Sequence, residues 1–405
     1  MSVELREKQY ITIFEGWKFD KLVGTGSGGK TAVYQLKRYH SDWEEISALK
    51  IIPVIEENGN LQQFSDDFQE EYKKRKEDLY QKALKEVRCM YEMRENPYVV
   101  RYFNYKFHDW KEDNCFGYDL LIHMELLDNL REQIRCKGNY AELEIIQIGK
   151  DICKALIGCH KKDIIHRDIK PENIFINSEG TYKLGDFGIS RIVSRSQPAS
   201  TKIGSPPYAA PEQFEHNHKS YDYRVDIYSL GLVLYELANE NKLPFATSVY
   251  VQEKEILLRS MAKVLEKPCN ASPMFAEVIL KACAYEPEQR YQSAEEFLTA
   301  LKAVEKMQLE LGEELRKNKQ ELKTNENINI YNTMPASENI FKQEEQNQQY
   351  ETIPASGDIC EKNEQNTKYE TVPARALEKE QKEEKGTDTF VGWRKRAEQG
   401  DAKGQ

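Results

Sequence analysis

Twenty-five residues near the middle of the chain, Ile164 to Gly188, constrain the fold more than any other stretch: IIHRDIKPENIFINSEGTYKLGDFG. Its apolar pieces, Ile164-Ile165, Ile174-Phe175-Ile176 and Tyr182-Lys183-Leu184, are short and partly β-branched, which predicts short strands. The turns between them carry His166, Arg167, Asp168, Lys170 and Asn173, then Asp186. Two acids and an amide on adjacent loops offer oxygen ligands to a divalent metal, with a lysine nearby for an anionic phosphate.

This pattern resembles the catalytic and metal-binding loops of eukaryotic-type protein kinases, whose signatures are H-R-D-x-x-x-x-N and D-F-G. His166-Arg167-Asp168 with Asn173, and Asp186-Phe187-Gly188, match every fixed position. The resemblance covers about Tyr10 to Val304. It implies an α+β, bilobal protein kinase fold, with a small β-rich N-terminal lobe and a larger helical C-terminal lobe, followed by a largely disordered tail. It also implies ATP and Mg²⁺, and a protein Ser/Thr hydroxyl as acceptor.

Leu22 to Ile52 reads as strands around a glycine-rich turn. Gly24-x-x-x-x-Gly29-Lys30-Thr31 satisfies the P-loop pattern literally. A P-loop must open a helix, however, and AVYQLKRY after Thr31 is β-branched and aromatic. The kinase reading makes these glycines a hairpin whose amides cover the ATP phosphates. Taking Gly24, Gly26 and Gly29 as the three glycines puts Thr31 where the family has valine. Taking Gly26 and Gly28 puts Val33 in its place and Thr31 at the third glycine. The second alignment is preferred, with Val33 under the adenine and Val23 at the start of the loop.

Ala48-Leu49-Lys50 resembles the V-A-I-K strand, so Lys50 is expected to reach the α and β phosphates. Apolar positions from Leu61 to Met90 recur mostly at steps of three or four, which predicts one long amphipathic helix or two in tandem. Glu86 is the expected partner of Lys50, with Glu70, Glu71 and Glu77 as alternatives. Lys50 and Glu86 lie farther apart than the family pattern, and residues 53–81 read as an insertion before the helix. It either binds a regulator that positions the helix or is a solvated extension with pairs such as Glu70 with Lys74.

Val99 to Phe107 and Tyr118 to Leu126 read as the next strands. By resemblance Met124 is the gatekeeper, the backbone of Glu125 to Leu127 meets the adenine edge, and Ala48 and Phe175 line the nucleotide site. Beyond the D-F-G, a polar loop punctuated by Pro and Ser ends in Gly204-Ser205-Pro206-Pro207-Tyr208 and Ala210-Pro211-Glu212. Lys170 and Ser205 resemble the Ser/Thr-specific branch. Thr201 sits where relatives carry a regulatory phosphothreonine that Arg167 would pair, with Ser196 and Ser200 as competing acceptors. Asp226 resembles the acid that fixes the catalytic loop, and Arg290 the arginine that pairs with Glu212.

The expected division is an N-terminal extension (1–13), a kinase domain (14–304), a helical extension (305–323), a disordered linker (324–386) and a partial repeat (387–405). Ser293 and Glu296 predict a capping box. Leu301, Val304, Leu311, Leu315 and Leu322 fall at heptad-like steps, interrupted by Gln308, Gly312 and Asn318, so a frayed helix is preferred to a coiled coil. The linker repeats YNTMPAS, YETIPAS and YETVPAR from Tyr331, Tyr350 and Tyr369. Thr333, Thr352 and Thr371 are candidate acceptors for a phosphothreonine-reading or tail-binding partner, and drift of a duplicated spacer explains them equally well. FVGWRKRAEQGDA near the end resembles the start of a Sel-one-like repeat, which needs stacked neighbours to bury a face.

A net charge of -10 argues against a nucleic-acid partner. The eight cysteines show no C-x-x-C spacing, so reduced thiols are expected. With no signal core and no apolar run long enough for a bilayer, no membrane span and a cytoplasmic location are expected. The rival to a Ser/Thr kinase is a scaffold whose kinase-like domain signals by conformation. The intact lysine, acid and amide set speaks against it.

Overall fold

Ala32 to Tyr39, the stretch after the glycine-rich turn, is a strand and not a helix. It forms β2 (Ala32–Tyr39) and pairs antiparallel with β1 (Lys18–Thr25), from Lys18↔Lys37 to Thr25↔Ala32. This hairpin removes the P-loop reading. The computed structural model describes residues 10, 13–25, 31–59, 64–112, 115–187, 207–214, 222–246, 253–262 and 264–333. The chain divides into two units, residues 1–332 and 333–405, and of the second only Thr333 is among the described residues.

β3 (Glu44–Asn58), β4 (Tyr102–Glu112) and β5 (Cys115–Met124) complete a five-stranded antiparallel sheet in the order β1-β2-β3-β5-β4. Side chains alternate across a strand, and here both faces of β3 are covered. Leu49 and Ile51 pack with Tyr34, Leu36 and Leu121 under Tyr10, Phe14 and Trp17, while Ile52 and Val54 join the core that contains the following helix. That double burial is why the strand reads as a nearly continuous apolar run. Tyr10 is fully buried and hydrogen-bonds Asp119, so the residues before the expected domain start at 14 contribute to the lobe's core.

His123 on β5 lies among Phe14, Trp17 and Phe103, with ring centroids 5.4, 4.8 and 5.1 Å away, and its Nε2 is 2.8 Å from Ser47 Oγ. Burial, helped by nearby Arg38, pulls its pKa from 6.5 down to about 4. The folded state therefore keeps His123 neutral in a pH window where the unfolded state binds a proton. Stability should be intact above pH 6.5 and fall as the pH drops toward 4, with His123 accounting for on the order of 3 kcal/mol. Urea midpoints at pH 7.5 and pH 5 measure this, and equal midpoints would refute it.

One helix, α1 (Asp66–Met93), replaces the one-or-two alternatives over 61–90. Ser65 caps it by accepting the Phe68 N–H, and Asp66 and Asp67 favour its positive end. The surplus residues are absorbed into regular elements: 53–58 extend β3, and 66–81 form the first half of α1. The strand hairpin is likewise longer at its far end than the apolar pattern shows, because His108 to Glu112 is mostly polar.

The helical lobe comprises α2 (Leu130–Lys137), α3 (Glu142–His160), α4 (Arg224–Leu237), α5 (Glu253–Met261), α6 (Pro273–Ala282) and α7 (Ala294–Thr333). A small sheet of β6 (Asp128–Asn129), β7 (Ile174–Ile176) and β8 (Tyr182–Leu184) sits with them. Every residue of α4 from Val225 to Leu237 is buried, which makes it the axis of this lobe.

Ser293 Oγ accepts the Glu296 N–H, but the Glu296 carboxylate takes the N–H of Gln292, one residue earlier than in a capping box. Phe297, Leu301 and Val304 are fully buried, Lys150 pairs with Glu305 at 2.5 Å, and Gln308 donates to Glu142 at 2.9 Å. The first part of the heptad-like stripe thus faces its own lobe and is no seam for a second helix. The helix continues to Thr333, into the stretch expected to be linker. No proline or glycine interrupts residues 324–333. No described helix is long and apolar enough to cross a membrane.

Candidate active site

The side chains of the His166–Asn173 loop converge because a buried acid shapes the backbone between them. Asp226, near the start of α4, is fully buried and accepts the His166 N–H at 2.9 Å and the Arg167 N–H at 2.7 Å. Arg167 has φ of 66°, a conformation that costs an L-residue about 1–2 kcal/mol. The two charge-assisted bonds from Asp226 offset that strain, and His160 adds a contact at 3.2 Å.

Downstream of this turn, the Asp168 side chain accepts Lys170 Nζ at 2.9 Å and Asn173 Nδ2 at 3.0 Å. The same Asn173 nitrogen donates to the Asp168 carbonyl at 2.7 Å. With the nitrogen end of the amide turned to Asp168, its oxygen end is the one offered to a hard cation. Pro171 opens a single 3₁₀ turn, Pro171–Asn173, that sets Asn173 at the edge of β7.

Asp186 follows β8, also with positive φ, 59°, and its N–H donates to the Tyr102 hydroxyl at 3.1 Å. Burial, with Asp186 next to it, pushes the Tyr102 pKa far up, so this accepting hydroxyl stays a neutral phenol. The His166 Nε2 lies 2.9 Å from Gly185 O, and its Nδ1 faces the Asp168 N–H at 3.4 Å. Nδ1 accepts and Nε2–H donates in one neutral tautomer, and burial keeps the ring neutral by lowering its pKa. Phe187 is buried edge-on to that ring, 4.9 Å between centroids.

Lys50 reaches the same place from the sheet. It is 7% exposed, and its Nζ pairs with Asp186 Oδ2 at 2.6 Å. The ion pair seen therefore joins Lys50 to the acid expected to bind metal. Glu86 lies on α1 at a step of three from Ala83 and four from Met90, both buried, and its side chain is outside the description.

Beside Lys50, Ala48, Val100 and Met124 form a small separate apolar cluster with Val33, Tyr102, Leu126, Leu127 and Phe175 around it. Five of these were expected at a nucleotide base and Leu126 lies in the Glu125–Leu127 stretch expected at the adenine edge, while Val100 and Tyr102 carried no motif. The Glu125 N–H donates to Arg101 O at 3.0 Å, and its carboxylate pairs with Lys183 at 2.7 Å. Val23 and Gly24 lie on β1, where Val23 is skipped by a bulge between Leu22 and Gly24. Gly26, Gly28, Gly29, Gly188, Thr201, Ser205, the tail repeats after Thr333 and the C-terminal half-repeat fall outside the described residues.

The end of the polar loop is anchored on α4. Ser229 Oγ donates to Tyr208 O at 2.8 Å, and Arg259 donates to Pro207 O at 3.0 Å. Arg131 bridges Glu172 at 2.9 Å, Glu236 at 2.8 Å and the Tyr208 hydroxyl. Burial pushes the Glu236 pKa up, opposed by the guanidinium of Arg131. Nothing local in the sequence announces this network.

Among the described residues, no three His, Cys, Asp or Glu side chains form a metal cluster. A Mg²⁺ site needs no such cluster, since one or two carboxylates suffice when substrate phosphates and water complete the shell. The Asp186 carboxylate and the Asn173 amide oxygen fit that donor set.

A two-lobed fold with a lysine, two acids and an amide gathered between sheet and helices defines a class, and the comparisons name it. The protein kinase domain model matches residues 17–308, so the chain belongs to the protein kinase family. It is 36% identical over 195 residues to a probable serine/threonine-protein kinase of Clostridium perfringens, covering 46% of this chain and 27% of that protein. It is 37% identical over 188 residues to the serine/threonine-protein kinase PknB of Mycobacterium tuberculosis, 43% of this chain and 29% of that one. The Drosophila melanogaster serine/threonine-protein kinase hippo matches at 30% over 281 residues, 68% of this chain and 37% of that protein. The chain spans between a quarter and two fifths of the length of these relatives.

Proposed function

We propose that this protein transfers the γ-phosphate of ATP to Ser or Thr hydroxyls of proteins, and that it autophosphorylates in the loop carrying Thr201. The observation that carries this reading is the convergence of Lys170 and Asn173 on one oxygen of Asp168, with the Lys50–Asp186 pair completing the set. Asp168 takes the proton of the attacking hydroxyl as its oxygen bonds to the γ-phosphorus and the bond to ADP breaks. Lys170 stabilises charge on the phosphoryl group in transfer, and Lys50, held by Glu86, orients the α and β phosphates. Asp186 and Asn173 would hold Mg²⁺, which when bound supplies charge neutralisation at the phosphate oxygens. The cluster of Ala48, Val100, Met124, Leu127 and Phe175 suits the apolar faces of an adenine.

Arg167 would pair with phosphorylated Thr201, and the backbone strain at Arg167 is consistent with a loop held in a functional shape. Thr333, Thr352 and Thr371 are further acceptors in this reading, docking a phosphothreonine reader, and the site of action is the cytoplasm.

Incubating the full chain with MgATP and mapping added phosphate by intact-mass and peptide mass spectrometry tests the proposal. Phosphate on Thr201 or the tail threonines, absent from Asp186→Asn, is expected. Lys50→Met should abolish transfer with the fold retained. Full activity in a folded Lys50→Met chain would remove that lysine from the reading, and no phosphate on the chain or on a basic protein substrate would favour the scaffold.

A further inference from the structure

The residues that lengthen β3 and α1 meet each other face to face. β3 runs past Ile52 to Asn58, paired to β5 from Pro53↔Asp119 to Asn58↔Cys115. The first half of α1 lies on this added sheet. The Tyr72 ring packs edge-on to Phe116 at 5.1 Å, Phe64 stacks on Phe68 at 4.3 Å, and Tyr80 meets Phe107 at 4.7 Å. Tyr72 and Phe116 are 7% and 5% exposed, and burial pushes the Tyr72 pKa up to about 12. Two ion pairs flank the rings: Arg75 with Glu57 of β3 at 2.7 Å, and Lys76 with Asp109 of β4 at 2.5 Å. Lys76 also lies over the Tyr118 ring, 4.3 Å from its centroid.

On the opposite face of β5 a Cβ on Gly117 would come within 2.4 Å of both Ile55 O and the ring of its β4 partner Trp110, so glycine lets the three strands close up beneath Phe116 and Tyr118. The helix side is stiff. α1 is a single helix of 28 residues, about 42 Å long, and its second half carries Ala83, Glu86, Val87 and Met90. Fixing the first half on the sheet therefore fixes where the second half stands relative to Lys50. Position 86 shares a rigid rod with Tyr72, and Lys50 shares a strand with Glu57.

We propose that this aromatic contact is a built-in clamp: Tyr72 and Arg75 on α1, with Phe116 and Glu57 on the sheet, position the Glu86 end of the helix for phosphotransfer. The domain then needs no separate protein to hold the helix in place. The apolar side of the first half of α1, at Tyr72 and Leu79, is already covered within the chain. Tyr72, Arg75, Glu57 and Phe116 are positioning residues, remote from the phosphates. The clamp rests on the kinase reading and on Glu86 as the partner of Lys50.

The test uses the full chain with MgATP and a basic protein substrate, measuring kcat and the KM for ATP, together with hydrogen exchange over residues 66–93. Phe116→Ala should speed exchange in 66–80 and lower kcat by about 10- to 100-fold, the cost of a misplacement of about 1 Å, with a smaller change in KM. Tyr72→Phe keeps the ring and should retain wild-type kcat, whereas Tyr72→Ala should not. If Phe116→Ala fails to fold, Arg75→Ala with Lys76→Ala leaves the core intact and should still lower kcat severalfold. Wild-type kcat in a variant whose 66–80 exchanges rapidly would overturn the clamp. Unchanged exchange in Phe116→Ala would overturn it too. A wild-type chain that transfers no phosphate overturns the kinase reading and the clamp with it. An active wild type with an indifferent Phe116→Ala defeats the clamp alone.

Discussion

On the proposed kinase reading, Asp168→Asn is expected to lower the turnover of phosphotransfer by about 10²- to 10⁴-fold, the range over which a positioned general base contributes. The substitution preserves the shape of the side chain, so the effect isolates its charge and basicity. In the folded protein its carboxylate takes hydrogen bonds from Lys170 at 2.9 Å and Asn173 at 3.0 Å. An asparagine oxygen can still accept both, which keeps the loop in place, but it cannot take the proton of the attacking hydroxyl. The backbone is held independently, by Asp226 on the N–H groups of His166 and Arg167. The thermal midpoint should therefore stay within about 3 °C of wild type, a shift worth about 1 kcal/mol in a domain of this size. Steady-state rates on a basic protein substrate, beside a thermal melt, check both halves. A variant with undiminished kcat would remove Asp168 from the role of base, and a large fall in melting point would recast it as structural.

Arg290→Met has its effect on stability. Arg290 is 2% exposed and its guanidinium holds Glu212 through two bonds, 2.7 and 2.8 Å. It also donates to the carbonyls of Ala284 at 2.8 Å, Tyr285 at 2.8 Å and Arg224 at 3.2 Å, tying three segments together. Methionine fills much of the volume but leaves Glu212 and these carbonyls without their donor. Removing one partner of a buried pair costs about 3–5 kcal/mol, or roughly 6–20 °C of melting temperature in a domain of this size. Replacing Glu212 as well, as in Glu212→Leu with Arg290→Met, should recover part of the loss, because no charge is then stranded. Thermal melts of the single and double variants decide it. A single variant that melts within about 2 °C of wild type would show that water replaces the guanidinium at this site.

The extended first half of α1 changes how residues 53–81 are understood. In sequence they stand out as a surplus, and a surplus suggests an appended module. In the fold 53–58 and 66–81 lengthen two existing elements, so that the extra strand and the extra helix pack on each other. Charged residues such as Arg75 and Lys76 look like solvent-facing positions on a helix. Their partners, Glu57 and Asp109, lie on strands 18 and 33 residues away.

Some of the site is legible in one dimension because its geometry is local. Asp168, Lys170 and Asn173 are within six residues, and a single 3₁₀ turn is enough to bring them onto one oxygen. The alternation of short β-branched runs with polar turns likewise specifies β7, β8 and the loops at their ends. The strand after the glycine-rich turn is legible for the same reason, since β-branched and aromatic residues in AVYQLKRY favour a pleated strand over a helix.

What the tertiary structure alone decided are contacts set by register and packing. The Lys50–Asp186 pair, the Asp186 N–H on Tyr102, the Arg131 bridge to Tyr208 and Glu236, and Gln308 on Glu142 all join distant positions. None has a local signature, because a lysine or an arginine in a sequence carries no mark of which carboxylate will face it. The heptad-like stripe on α7 shows the limit most clearly. Its period correctly implies an apolar helix face, but only the packed lobe decides that Leu301 and Val304 are covered by their own chain. Periodicity specifies that a face must be buried, and the arrangement of the other helices specifies by what.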